Sequence, residues 1–185
     1  MIDKIIISGY GGSGKDSFGD YLVDNYGFKK LSFSDGIYDI AYKYFGMTQK
    51  NRWLLQSIGE KMREIDPLIW VKHTFDRAEK YDRVVIPDCR QGNEYEYGLQ
   101  LGYLPIRIEA DLDTREKRLE KRDGFPPDMS LFDKECETGA DDYDYITVYN
   151  NGDFEHLHRQ ADEIIAFNWD GVIEDFQEKL KLKQI

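Results

Sequence analysis

The stretch Gly9-Tyr10-Gly11-Gly12-Ser13-Gly14-Lys15 follows an apolar run, Ile5-Ile6-Ile7, and precedes a plausible helix. It reads as a phosphate-binding P-loop. Glycines at 9 and 14 let the backbone curl so that successive N–H groups point inward at phosphate oxygens. The following helix adds its positive N-terminus, and Lys15 reaches the β- and γ-phosphates. The pattern G-x-x-x-x-G-K is met, with one departure: the residue after the lysine, normally a Ser or Thr that holds magnesium, is Asp16, followed by Ser17.

At 185 residues the chain is long enough to bury roughly 70% of its unfolded surface in one domain without disulfides or metal staples. With 36 acidic against 25 basic residues, a net charge of -11, it is unsuited to coating nucleic acid or an anionic membrane. Cys89 and Cys136 have no paired or metal-ligand spacing, and no apolar run is long enough to read as a leader or a membrane span. The expected setting is soluble, reducing and cytoplasmic. Strands are expected at 3–8, 28–33, 82–87, 103–109 and 145–149, with helical patterns between them. Such alternation implies an α/β fold: a five-stranded parallel sheet in three layers, with ligands at the carboxyl ends of the strands.

Three further patterns carry chemistry. Arg83-Val84-Val85-Ile86-Pro87-Asp88-Cys89-Arg90 is an apolar strand delivering Asp88 to the P-loop edge, where a carboxylate can hold magnesium through water and Arg90 can fork onto a phosphate. The plain structural reading is an Asp opening a turn. Over residues 51–66, helical spacing puts Leu54, Leu55, Ile58, Met62 and Ile65 on one face and Arg52, Gln56, Gly59, Arg63 and Asp66 on another. That polar stripe is either a solvated face or a phosphate-facing one, and a mid-helix glycine suggests a close approach. Arg115, Arg118 and Arg122 share a helical face suited to a transferring phosphoryl group, against the commoner reading of a solvated helix laced with ion pairs. The acidic, irregular stretch from Asp123 to Asp144 reads as a mobile flap.

Other residues have structural readings. His73, His156 and His158 lack a ligand or nucleophile constellation and read as surface or packing residues. Tyr38, Tyr42, Tyr44 and Phe45 recur at helical spacing and read as core rather than as a base-stacking surface. The tail from Trp169, with Val172, Ile173, Phe176 and Leu180, reads as a helix packed on the flank of the sheet.

With these residues assembled, the chain resembles the nucleoside monophosphate kinases of the P-loop class, most closely the phage-type deoxynucleoside monophosphate kinases. Gly14-Lys15-Asp16-Ser17 is similar to their loop, which commonly carries an aspartate after the lysine. Arg52-Trp53-Leu54-Leu55-Gln56-Ser57-Ile58-Gly59, through Arg63, Asp66-Pro67 and Trp70, resembles their acceptor-side helix. Asp88-Cys89-Arg90-Gln91-Gly92-Asn93-Glu94 is similar to their D-x-R-x-x-N-E, and Arg115, Arg118 and Arg122 match their arginine-bearing lid. The resemblance covers about residues 3–165. It implies a single P-loop kinase domain over 1–185 with a lid near 113–142 and a helical extension at 169–185.

It also implies ATP and Mg2+ as cofactors and transfer of the γ-phosphoryl to a (deoxy)nucleoside monophosphate. Lys15, Ser17 and the N–H groups of Gly11, Gly12, Ser13, Gly14, Lys15 and Asp16 would hold the donor. Asp88 would organise magnesium, with Asp16 or Ser17 completing its shell. Arg52, Arg63 and Arg90, with Gln56, would face the acceptor, and the lid arginines would screen the transferred charge. Tyr149-Asn150-Asn151-Gly152-Asp153 is similar to the loop near the donor adenine, giving Asn151 to that site. Asp35 either reads the acceptor or caps the helix after strand two, capping being the safer assignment. The expected partners are small nucleotides; a homodimer and a phage-encoded origin are both compatible. Two alternatives stand beside this: a kinase for another phosphorylated acceptor of the dephospho-coenzyme A or phosphomevalonate type, and a non-catalytic nucleotide switch.

Overall fold

The computed structural model describes residues 2–125 and 139–183. Strands β1 (Lys4–Ser8), β2 (Lys29–Lys30), β3 (Val84–Ile86), β4 (Leu104–Glu109) and β5 (Ile146–Tyr149) form one sheet in the order β2-β3-β1-β4-β5. Every pairing is parallel, with Ile6 opposite Ile86 on one side and Pro105 on the other. β1 is central because Ile5, Ile6 and Ile7 are wholly buried, as a strand covered by helices on both faces requires. The three-layer α/β P-loop fold is thus the one the alternating pattern implied, with the second strand shorter than its apolar run.

The helices are α1 (Lys15–Tyr26), α2 (Asp35–Phe45), α3 (Arg52–Ile65), α4 (Ile69–Ala78), α5 (Gly92–Gln100), α6 (Leu112–Asp123), α7 (Phe154–Ala166) and α8 (Asp170–Lys183). The main core surrounds the sheet. A second cluster of Ile37, Ala41, Met47, Ile58 and Trp70 joins α2, α3 and α4 beyond the β2 side. Asn51 starts α3 by accepting the Leu54 N–H at 3.0 Å, and Asp153 starts α7 by accepting that of His156 at 2.9 Å.

Some expectations are corrected. Tyr42, Tyr44 and Phe45 are 53%, 70% and 60% exposed rather than core, because α2 buries its Ile37/Ala41 side and its last turn projects beyond the cluster. Ile65 likewise lies outside the cluster at the end of α3. The tail helix α8 packs on α5, where Gln177 Nε2 donates to the Leu99 carbonyl at 2.7 Å, and its Ile173 and Leu180 join the main core, as expected of a helix on the flank of the sheet. The flap expected to Asp144 is anchored in its last residues: Ala140 is buried, Tyr95 donates to the Asp144 carbonyl, and Tyr143 donates to Glu96. Its middle, 126–138, lies outside the described residues, as does Cys136.

Candidate active site

β1 ends at Ser8, and the chain turns through Gly9–Gly14 into α1. Gly9, Gly12 and Gly14 have φ of 137°, 80° and 105°, in the left-handed range that favours glycine. A Cβ on Gly9 would run into the Ile108 carbonyl, and one on Gly14 into the Asn150 amide. The Ser13 N–H closes the turn on the Tyr10 carbonyl at 3.2 Å, and the start of α1 contributes donors that no preceding helical turn can satisfy. Lys15 donates its Nζ to the carbonyls of Gly9 and Tyr10, the latter at 2.9 Å, so the ammonium rests against its own loop. The arrangement fits a polyphosphate: the cradle is clear where side chains would fill it, and the buried Ser13 Oγ has no protein partner.

Asn150, at the carboxyl end of β5, braces this loop. It is 4% exposed, and its Nδ2 donates to the Ser13 carbonyl at 2.7 Å. The expected nucleotide residue, Asn151, instead accepts the Asp111 N–H at 2.7 Å and so fixes the entrance to α6. The asparagine that turns toward the phosphate loop is thus Asn150, which the sequence does not single out; both asparagines carry the same chemistry, and only the strand's end decides which turns inward.

The three α6 arginines do not converge. Arg115 lies over the Tyr10 ring, 4.8 Å from its centroid. Arg118 reaches the Gly12 carbonyl at 3.4 Å, Asn150 Oδ1 at 3.4 Å and the Gly152 carbonyl at 3.3 Å, and burial lowers its pKa. Arg122 forks onto Asp123 at 2.7 and 2.8 Å, out at the helix end. Asp123 also feels the charges of Arg52 and Lys50, which places the end of α6 near the start of α3. Arg115 and Arg118 therefore touch the phosphate loop itself, whereas Arg122 is held by Asp123 and feels the charge of Asp16 at the start of α1.

Asp88 follows β3 at the same sheet edge. Its carboxylate accepts Ser32 Oγ and the N–H groups of Phe33 (3.1 Å) and Ser34 (3.4 Å), tying the β3 end to the loop between β2 and α2. Burial raises its pKa, and those hydrogen bonds and the nearby Arg90 oppose the rise. Asp16, 81% exposed at its side chain, pairs with Lys30 at 2.8 Å; Lys30 also takes Asp20 at 3.0 Å. Ser17 is half-buried beside it on α1. Among the described residues, no group of three or more His, Cys, Asp or Glu could hold a metal alone. Such a donor set suits magnesium carried on phosphate oxygens and reached by one carboxylate through water, not a protein cage.

On the far side, Arg52 and Gln56 are exposed on α3, and Arg63 is half-buried. A Cβ on Gly59 would press on Ile37 Cδ1 at 3.2 Å and on Arg63 Nη1 at 3.3 Å, and the Gly59 carbonyl accepts Trp70 Nε1 at 3.2 Å. The close approach suggested by that glycine is thus helix packing plus the Arg63 side chain. Asp35 does not cap α2, whose N-cap is Ser34; its carboxylate accepts the Ser32 N–H at 3.1 Å and Arg77 at 2.9 Å. Arg90 is exposed, and its N–H donates to Glu94 Oε2 at 2.8 Å. That Glu94 oxygen also takes the Gln91 N–H at 3.0 Å, and burial, with Asp88 nearby, pushes its pKa up to about 7. Glu94 stood in the quoted motif, yet its burial was not legible there.

The model of the AAA domain family (AAA_18) matches residues 5–139. A curated relative, the uncharacterized protein ORF76 of Ictalurid herpesvirus 1 (strain Auburn), is 35% identical over 106 residues; the match takes in 53% of this chain and 44% of that protein. The chain thus spans less than half the length of that relative. Among solved structures, TT1252 from Thermus thermophilus superposes with a TM-score of 0.61 at 16% identity, over 89% of this chain and 98% of that one. A gluconokinase from Sinorhizobium meliloti 1021 gives 0.56 at 15% identity, over 98% and 97%. A shikimate kinase from Acinetobacter baumannii, solved with shikimate, gives 0.54 at 17% identity, over 89% and 92%. At these identities the likeness is one of fold.

Proposed function

The chain belongs to the AAA domain family, and from that premise we propose that it is an ATP-dependent kinase that phosphorylates a (deoxy)nucleoside monophosphate. One observation carries the reading: a glycine cradle with Lys15 at its rim, braced by Asn150, with Arg118 laid against Gly12 and Arg115 beside it. A nucleotide-binding switch has no need of two arginines from one helix at the loop. A phosphoryl transfer does, since its transition state spreads charge over oxygens that fixed cations stabilise.

ATP with Mg2+ would supply the phosphoryl group and neutralise its oxygens. The chain's residues do the rest by position. Gly11–Gly14 and Lys15 would hold the donor phosphates, Arg118 and the Asn150–Gly152 loop flank the donor side, and Asp88 would help to hold the ion. Arg90, Arg63 and Arg52 line the route from the Asp88 turn to α3 and take the acceptor's phosphate. That phosphate is already an adequate nucleophile, so the site needs no general base.

The test is ADP release from ATP and magnesium across all ribo- and deoxynucleoside monophosphates, with dephospho-coenzyme A and phosphomevalonate alongside. Turnover with one or a few nucleotides supports the reading and names the acceptor. Turnover with another phosphorylated compound keeps the kinase and replaces the substrate. ATP binding with silence across the panel overturns it in favour of a switch.

A further inference from the structure

Tyr10 occupies the first free position of the phosphate loop, where the pattern asks for nothing in particular. Its ring lies under the Arg115 guanidinium at 4.8 Å and within 5.2 Å of that of Arg107 on β4. Its hydroxyl donates to Asp141 Oδ2 at 2.5 Å, and Arg107 Nη1 donates to Asp141 Oδ1 at 2.7 Å. One side chain of the loop therefore gathers α6, β4 and the segment entering β5.

The way Arg115 is held separates this from ordinary packing. Its Nε is buried without a hydrogen-bond partner, and among the described residues no carboxylate pairs with it. Arg107, by contrast, is neutralised by Asp141 and Glu109. A carboxylate on Arg115 would cancel its charge; the face of a neutral ring fixes the guanidinium while leaving its charge and forked donors for another anion. The ring is a neutral phenol, as tyrosine is at ordinary pH, and the hydrogen bond to Asp141, foremost, raises its pKa further. The backbone is fixed as well, since Gly12 lets the Arg115 carbonyl settle against the loop.

We infer that Tyr10 is a positioning residue, holding Arg115 unneutralised beside the phosphate loop to act on the transferring phosphoryl group; this rests on the kinase reading above. The test is a double-mutant cycle of Tyr10→Leu and Arg115→Ala, with Tyr10→Phe as the variant that keeps the ring face. Tyr10→Leu is expected to lower kcat about tenfold or more while the KM for ATP changes less than about threefold, and Tyr10→Phe to restore most of the loss. Tyr10→Leu combined with Arg115→Ala should be no slower than Arg115→Ala alone, because the two act as one unit. Additive losses, or a Tyr10→Phe enzyme as slow as Tyr10→Leu, overturn the inference. Should Tyr10→Leu fail to fold, Tyr10→Met, a similar length without a ring, takes its place in the cycle. A wild-type chain that binds ATP yet phosphorylates nothing in the panel overturns the kinase reading and this role with it; wild-type turnover with additive losses overturns this role alone.

Discussion

Gly12 and Arg115 are packed so tightly that a Cβ built on Gly12 would lie 2.7 Å from the Arg115 carbonyl oxygen and 3.1 Å from its Cα. The first turns of α6 therefore sit directly on the phosphate loop. With φ at 80°, Gly12 is also in a conformation that L side chains rarely adopt. Gly12→Ala combines backbone strain with a clash against backbone, which cannot rotate away. It is expected to destabilise the fold by about 2 kcal/mol or more and to weaken ATP binding, measured by thermal unfolding and calorimetric titration.

Asn150 joins the β5 edge to the loop through one buried hydrogen bond to the Ser13 carbonyl. Asn150→Ala leaves that carbonyl unpaired, a loss of about 1–3 kcal/mol. ATP affinity should fall with stability. Asn151→Ala, which frees only the Asp111 N–H at the surface, should cost less on both measurements, and the reverse ranking would refute the bracing role of Asn150.

Asp88 gives a different split. Asp88→Asn keeps one acceptor oxygen, enough for the Phe33 N–H or for the Ser34 N–H but not for both, and loses the charge that would organise magnesium. Turnover should drop by about a hundredfold while ATP affinity stays within about threefold, because the loop holds the phosphates. Equal losses in both would remove Asp88 from the metal's surroundings.

Glu94 makes stability depend on pH in a defined direction. Its folded pKa of about 7 lies above the ordinary 4.5, chiefly through burial. Between those values the folded chain keeps a proton that the unfolded chain has released, so this residue's contribution falls as pH rises from about 4.5 and the loss is complete above about 7. Its size is on the order of 3 kcal/mol. Glu94→Gln keeps an oxygen for the Arg90 and Gln91 N–H groups and does not titrate. Unfolding curves at pH 5 and pH 8 should therefore show a smaller drop for the variant than for wild type; equal drops would mean that Glu94 is ionised at no cost.

The P-loop, the parallel sheet and the strand that leads to Asp88 were legible because each is written in a local code. Ile5-Ile6-Ile7 is continuous apolar sequence, which only a doubly covered strand needs, and glycines at 9 and 14 mark left-handed turns. The apolar spacing of α3 likewise located Ile58 in its cluster. Where the same code was ambiguous, reading failed: Tyr42, Tyr44 and Phe45 have the periodicity of a buried face, yet the cluster formed by α2, α3 and α4 does not extend to them.

The sequence by itself determined a phosphate-binding loop between a strand and a helix, the fold class around it, and a supply of arginines and one strand-end carboxylate at the functional edge. Only the tertiary structure decided how they are used. Spacing along α6 put Arg115, Arg118 and Arg122 on one face, but they part because their partners, the Tyr10 ring, the Asn150–Gly152 loop and Asp123, come from different parts of the chain. Asn150 rather than Asn151 faces the loop because of where β5 stops. Glu94 is shifted because neighbours distant in sequence exclude water from it. Periodicity fixes which side of its own element a residue occupies; what that side meets, and how much water remains there, depends on segments that the local pattern does not contain.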